Sequence, residues 1–456
     1  MRTSMRWGGK VVAAMALVAA TVACTAAVPE STTRAKPPET AKTGESAKSG
    51  PPRAAELPPV DANWPRWGLT HTQTSGNNGD DRLLSGSSAT LSRVPMLQNQ
   101  HIMGFGVGNP EEVPGQLNFE DLDSRMRLMD RSGGLPIITL CCAPDWMKGG
   151  PAGQTSWQKE HLEAAPERKH FDDFAKLSAA VAKRYDHVKY FMVWNELKGF
   201  WPDHSQPPDI EGYTELYNKV YDAVKAVRPD ALIGGPYIGF HSIRSDGGNA
   251  SSLRGDWGAV DQLVLDAFDY WNKNKRGADF IVIDGASVTD DHKVQPDAFG
   301  ATAKFGDVTR WLREKTGNLP VWWSEFYFMP EDGKTNWPEN MRVAVLATSL
   351  MEFASSGTAT ALYWNPQTKQ GDCVGCMWNS QDGSARPAGD VVSNFVKWFP
   401  AGAKLEKVTS SDERVRVLAQ PEQMVMVNTT DENVTATVDG QEVSLAPYEV
   451  KWAARG

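Results

Sequence analysis

Apolar and polar positions fall in blocks along this chain. From Trp64 onward, eight short and nearly continuous apolar runs are separated by longer amphipathic stretches. The runs are Trp67 to Thr72, His101 to Val107, Leu135 to Leu140, Val188 to Trp194, Ala231 to Ile238, Phe280 to Asp284, Val321 to Phe326, and Ala359 to Trp364. Such runs are expected of parallel strands covered on both faces. Between them, apolar residues recur at spacings of three and four. That spacing predicts helices over Phe119 to Arg131, Phe171 to Tyr185, Tyr213 to Val227, Trp257 to Asn272, Phe305 to Thr316, and Trp337 to Ser355. Asn118 before the first helix, Gly133 after it and Gly317 after Thr316 supply start and stop signals. Eight strands alternating with helices predict an α/β fold, a (β/α)8 TIM barrel over residues 57–399, in preference to an open doubly wound sheet.

The two ends read differently. Beyond Pro400 short alternating runs dominate: Arg414-Val-Arg-Val-Leu418, Met424-Val-Met-Val427, Val434-Thr-Ala-Thr-Val438, Glu442-Val-Ser-Leu445 and Glu449-Val-Lys-Trp452. With a turn at Asp439-Gly440, they predict a small β-sandwich-like accessory domain over residues 400–456, to which Leu57 to Asn63 can add a strand. At the other end, Arg2, Arg6 and Lys10 precede the apolar run Val11 to Ala20 and then Thr21-Val-Ala-Cys24. This is the layout of a bacterial export signal over residues 1–24 that ends in a lipid-attachment cysteine, and a plain cleaved signal is its alternative. Residues 25–56 are rich in Thr, Ala, Pro, Ser, Lys and Glu and carry too little apolar surface to order themselves. They read as a tether with a coil dimension of roughly 30 Å. Export to the cell surface, with membrane contact only through the lipid, is the expected location.

Charge narrows the partners. Removing residues 1–24 leaves 47 − 3 = 44 basic against 56 acidic residues, with no Lys/Arg-rich block. A nucleic-acid partner is therefore not expected, whereas neutral glycans are compatible. In an exported protein Cys373-Val-Gly-Cys376 is expected to close a local disulfide rather than half a zinc site; Cys141 and Cys142 are either buried thiols or bridged, and cross-pairing between the clusters stays open. Gly104-Phe-Gly-Val-Gly108 is an incomplete dinucleotide fingerprint, no nucleophile elbow or phosphate loop occurs, and Asp290-Asp-His292 lacks the regular spacing of a calcium loop. No cofactor or metal is called for.

The chemistry concentrates in two glutamates at strand ends: Glu196 in Lys189-Tyr-Phe-Met-Val-Trp-Asn-Glu196 and Glu325 in Leu319-Pro-Val-Trp-Trp-Ser-Glu-Phe326. Barrel active sites are built at the carboxyl ends of the strands, and these two close the fourth and seventh. An acid flanked by Trp and aliphatic residues loses hydration, which raises its pKa as a general acid requires. A second, ionised carboxylate can then attack a sugar. At ~5–5.5 Å between the two groups the reaction retains configuration, and at ~6.5–9.5 Å it inverts it.

Trp194-Asn195-Glu196 and Trp323-Ser324-Glu325-Phe326 resemble the motifs of the retaining glycoside hydrolases of clan A, most closely glycoside hydrolase family 39 and its β-xylosidase-like relatives. The resemblance implies that Glu196 is the acid/base, Glu325 the nucleophile and Asn195 the partner of the sugar 2-hydroxyl. It further implies that Trp146, in Leu140-Cys-Cys-Ala-Pro-Asp-Trp-Met147, shapes the sugar subsite and that Trp364 is a stacking platform. Trp323 joins the candidate contacts, whereas alternation places Trp322 on the face opposite Glu325. Family members carry His or Tyr where this chain has Asp284, which can bind a sugar hydroxyl or cap a helix, so xylose specificity does not carry over. His71 and His101 lie near the first two strand ends, as pocket residues or as hydrogen-bonded structural histidines. Sequence alone thus points to an exported retaining glycosidase acting on an oligo- or polysaccharide; a non-catalytic glycan-binding lipoprotein and a transglycosylase are the alternatives.

Overall fold

The computed structural model describes residues 64–73, 75, 87–329, 336–364, 366–367, 376–379 and 382–455. The expected export signal, Cys24, the tether, the added strand at Leu57 to Asn63 and Cys373 all lie outside them. Eight parallel strands close a barrel: β1 Trp67–Thr70, β2 Leu97–His101, β3 Leu135–Leu140, β4 Tyr190–Val193, β5 Leu232–Gly239, β9 Phe280–Ala286, β10 Val321–Tyr327 and β11 Thr360–Trp364, with β11 pairing β1. Between β5 and β9, β6 Ser242–Ile243, β7 Ala250–Gly255 and β8 Gly258–Asp261 form a small antiparallel sheet.

Strand alternation divides the apolar residues into two layers. Leu97, Ile137, Tyr190, Met192, Tyr237, Phe280, Val282, Trp322 and Leu362 fill the barrel interior. Ile138, Phe191, Val193, Ile281, Ile283 and Trp323 point outward into the helical layer. Trp64 plugs the amino-terminal end, its ring 5.8 Å from those of Tyr190 and Phe280 and 5.9 Å from that of Trp322. Gly234 is required here, because a β-carbon would come within 2.2 Å of the Phe280 ring. Only the opposite rim, where the strands end in polar side chains, remains open for chemistry.

Two expected elements are corrected. The second strand is Leu97–His101, not His101 to Val107. Its polar residues look unsuited to a buried strand but are paired inside the protein: Gln98 with His71 and Ser132, and Asn99 with Thr70 and Thr139. The apolar run that follows is a loop closed by a Gly104–Val107 bridge. Likewise the helix expected from Trp257 starts at Gln262, because Gly258–Asp261 pairs as β8 and the Asp261 carboxylate accepts the Leu263 amide as an N-cap.

The carboxyl-terminal runs form β12 Val415–Ala419, β13 Gln423–Asn428, β14 Val434–Val438, β15 Gln441–Leu445 and β16 Val450–Ala454, all antiparallel. Asp439 and Gly440, both at positive φ, make the β14–β15 turn. Trp452 lies edge-on to Phe395 of the helix Pro387–Trp398 at 5.4 Å, which joins this module to the barrel. Among the described residues, no helix is long and apolar enough to cross a membrane.

Candidate active site

The chain leaves β4 through a turn in which Trp194, Glu196 and Leu197 all have positive φ, at 69°, 50° and 53°. For residues with side chains that conformation costs ~1–3 kcal/mol each and needs support from its surroundings. Trp194 provides it: its ring is wedged between Phe174 and Phe200, and its Nε1–H donates to the Lys198 carbonyl at 2.8 Å. The turn sets Asn195, Glu196 and Lys198 at the barrel mouth. Both side-chain amide atoms of Asn195 are buried without a partner among the described residues, so a ligand hydroxyl can satisfy them.

On β10, simple alternation would put Trp323 and Glu325 on the same face. A register shift against β9 between these residues separates them. Trp323 turns outward, packs on Phe305 and Phe353 and donates to Thr309, so it is a core residue and not a sugar contact. Trp322 is a packing residue, as expected, but it lies in the barrel interior rather than in the helical layer. A second register shift, between Pro236 and Ile238 on β5, turns Tyr237 inward. Its hydroxyl donates to Glu325 Oε1 at 2.5 Å, and the Tyr327 hydroxyl donates to Oε2.

Glu196, Asp284 and Glu325 converge, with one carboxylate oxygen of each within 4.8 Å of the others. The Lys198 ammonium lies 2.6 Å from Glu196 Oε2 and 3.4 Å from Glu163 Oε1. Three carboxylates this close cannot all be charged. Burial, then the Glu196 charge, pushes Asp284 well above the carboxylate range, and its hydrogen bond with Glu196 requires a proton between them. Burial and the Glu196 charge likewise push Glu325 up to about 8.

Glu196 departs from the sequence expectation. Burial acts to raise its pKa, but the Lys198 ammonium and the Asp284 hydrogen bond outweigh it and hold Glu196 down to about 2. The Lys198 ammonium thus favours charge on Glu196, and burial beside that charge favours the protonated form of Glu325.

The other expected contacts separate clearly. Trp364 is half-buried at the rim, its ring 5.9 Å from that of Phe105 and 6.4 Å from that of Tyr327. Trp146 is held elsewhere: its Nε1–H donates to the Glu111 carbonyl, and it lines a side cavity of about 390 Å³ with Leu117, Asp173 and Lys176. His71 is structural, both ring nitrogens being engaged by Ser75 and Gln98. His101 is the histidine that faces the site. It stacks on Phe105 at 4.2 Å, its ring nitrogens have no partner among the described residues, and its charge couples to those of Lys198 and Glu196. Burial first and Lys198 second push it down to about 3. Cys141 and Cys142 are bridged to each other, and Cys376 is buried.

Next to the carboxylates a cavity of about 270 Å³ is lined by Glu196, Asp284, Tyr327, His204, His241 and Asp290. A larger one, about 600 Å³, opens beside Trp257, Asp307, Glu352 and Arg416. Two of its acids are paired, Asp307 with Arg310 and Glu352 with Arg416.

Sequence reasoning passed over three residues that complete the site. Tyr327 was legible, because it lies two positions after Glu325 on the same strand and so shares its face. Lys198 and Tyr237 depend on a left-handed turn and a register shift, neither of which leaves a periodic signal.

No known family model matches the chain, and no curated protein matches it in sequence. Solved structures match its fold. A glucosidase from Croceicoccus marinus superposes with a TM-score of 0.53 at 13% identity, over 86% of this chain and 83% of that one. A GH39 enzyme from Xanthomonas axonopodis pv. citri superposes with a TM-score of 0.51 at 17% identity, over 81% and 72%. A GH30 endoxylanase from Clostridium papyrosolvens superposes with a TM-score of 0.53 at 11% identity, over 86% and 98%. At these identities the chain shares with them the closed barrel and its layout, and the likeness is one of fold.

Proposed function

We propose that this chain is an exported, lipid-anchored retaining glycoside hydrolase that cleaves O-glycosidic bonds by double displacement. The observation that carries the reading is the convergence of Glu196 and Glu325, far apart in sequence, to within 4.8 Å at the carboxyl ends of barrel strands. An approach of oxygens this close supports the retaining arrangement, in which the two carboxyl groups stand ~5–5.5 Å apart. In the first step Glu196 protonates the leaving oxygen while Glu325 attacks the anomeric carbon. In the second, Glu196, now ionised, draws a proton from water, which displaces Glu325. The Asn195 amide, buried without a partner among the described residues, supports a role with the 2-hydroxyl, and Trp364 at the rim supports one with the apolar face of the ring. The names of its fold relatives, a glucosidase and an endoxylanase among them, favour glycan substrates of the cell wall or the environment. Export and the anchor rest on residues 1–24 alone.

A panel of aryl glycosides and of plant and bacterial polysaccharides, given to wild type, Glu196→Gln and Glu325→Gln, tests the assignment. Glu325→Gln should abolish any activity found. Glu196→Gln should lose the substrates with poor leaving groups first. Full turnover by both variants excludes the mechanism, and chain retention without cleavage by wild type points instead to a binding protein.

A further inference from the structure

The Lys198 ammonium lies against Glu196 Oε2, where it favours charge on the group that double displacement needs protonated. Glu196 has to enter the reaction protonated and Glu325 charged, whereas the ion pair favours the reverse. Their oxygens are within 4.8 Å, so the two states differ by the move of a single proton at constant net charge. Among the described residues the ammonium that touches Glu196 is that of Lys198, and it acts together with the Asp284 hydrogen bond.

We propose that Lys198 is a positioning residue that dictates which carboxylate of the Glu196–Asp284–Glu325 cluster carries the proton, with Glu163 as its second seat. This rests on the acid/base reading of Glu196. Four observations carry it. Lys198 touches Glu196 Oε2 at 2.6 Å, an oxygen that must be free to meet a glycosidic oxygen. Glu163 Oε1 is 3.4 Å from the same ammonium, so the lysine can transfer its pairing without entering solvent alone. The Phe105 ring, 5.7 Å from Nζ, flanks the ammonium with a face that favours a cation. Finally, the Lys198 backbone is fixed by its amide bond to Asn195 and its carbonyl bond from Trp194, so only the side chain needs to move.

Other charges around Glu196 do not perform this task. Asp284 on β9 and Glu325 on β10 are acids themselves, and Tyr327 donates to Glu325. His101 after β2 and His241 after β5 are both held below the ordinary histidine range by burial. Lys198 is therefore the cation that stabilises charge on Glu196. When a leaving group occupies the space beside Oε2 and the ammonium shifts to Glu163, Glu196 loses its counter-charge and becomes the better proton acceptor. The proton on Glu325 then crosses to Glu196, which leaves a charged nucleophile and a protonated acid. No net proton enters or leaves.

The test needs no substrate. Protein labelled with ¹³C at the glutamate side-chain carboxyl is titrated by NMR, and Glu196 and Glu325 are assigned from the signals lost in Glu196→Gln and Glu325→Gln. In wild type the Glu196 signal should remain that of a carboxylate to low pH while Glu325 titrates near pH 8. Lys198→Met should raise the Glu196 midpoint by about 1 to 3 pH units and that of Glu325 by less, because the ammonium touches Glu196 and acts on Glu325 more weakly. Lys198→Arg, which keeps a cation, should leave both near wild type, and Glu163→Gln should keep Glu196 charged. Superimposable titrations of folded Lys198→Met and wild type overturn the proposal. If Lys198→Met does not fold, Lys198→Gln takes its place in the same comparison. Failure of the hydrolase reading is a separate result: the carboxylate titrations would stand as expected while Glu196→Gln and Glu325→Gln kept full activity.

Discussion

The Tyr237 hydroxyl donates to Oε1 of Glu325 at 2.5 Å, and a register shift in β5 is what brings it there. With Tyr327 on Oε2, both oxygens of the carboxylate are fixed, so its orientation is set before any substrate arrives. A hydrogen bond to a charged group is worth ~1.5–3 kcal/mol. Tyr237→Phe should therefore lower kcat by about 10- to 100-fold, with a smaller effect on KM. The lost donor also held Glu325 down, so the acidic limb of the pH–rate profile should move to higher pH. An unshifted limb in this variant would show that the phenol only fills space.

Asp284 is the residue at which the chain departs from its family resemblance, and burial beside the Glu196 charge favours its protonated form. A protonated carboxyl and a carboxamide both donate to Glu196, so Asp284→Asn should retain activity within about tenfold of wild type. Asp284→Ala removes the donor and opens the pocket floor, and should cost about 100-fold or more. The ratio of the two variants is the diagnostic quantity. Were Asp284 needed as a charged group that binds a sugar hydroxyl, Asn and Ala would be equally damaging.

How much of this was legible in sequence follows from what is periodic. Seven of the eight barrel strands coincide with the apolar runs, the eighth sharing only His101, and the two glutamates and Asp284 were found because they end such runs at the open rim. β2 was misplaced because Gln98 and Asn99 are each hydrogen-bonded in the interior, Gln98 to His71 and Ser132 and Asn99 to Thr70 and Thr139, so polarity did not signal exposure. Trp323 was misassigned because a register shift breaks the period-two rule between it and Glu325. The charge on Glu196 was misjudged for a different reason: burial was readable from Trp194 and Val193, but the ion pair with Lys198 exists only because three residues of the intervening turn adopt positive φ.

That correction separates the tryptophans by experiment. Trp364 borders the site and Trp323 does not, so Trp364→Ala should raise KM severalfold with little change in thermal stability. Trp323 is fully buried among Phe305, Phe326 and Phe353, and Trp323→Ala should cost ~3–5 kcal/mol of stability. Whatever Trp323→Ala protein remains folded should bind substrate normally. Thermal melts and Michaelis parameters on the two variants check this; a raised KM in folded Trp323→Ala would return that residue to the sugar subsite.

The cluster should also govern stability against pH. Glu325 has its folded-state pKa raised to about 8 from an ordinary 4.5, so between those values the folded protein keeps a proton that the unfolded chain gives up. Stability from this group is present below pH 4.5 and lost as pH rises toward 8. Asp284, also raised, acts in the same direction. Glu196, held down to about 2, acts oppositely, but its contribution changes only between pH 4.5 and 2, below this window. Wild type should thus melt at a lower temperature at pH 8 than at pH 5, and Glu325→Gln, with no proton to lose, should show a flatter profile. Each pH unit of separation corresponds to about 1.4 kcal/mol, so the variant should gain at least ~1 kcal/mol over wild type at pH 8 relative to pH 5. Parallel melting curves across that range would mean that Glu325 is already ionised in the resting protein, and that the pairing of charge and proton within the cluster is the reverse of the one derived from Lys198.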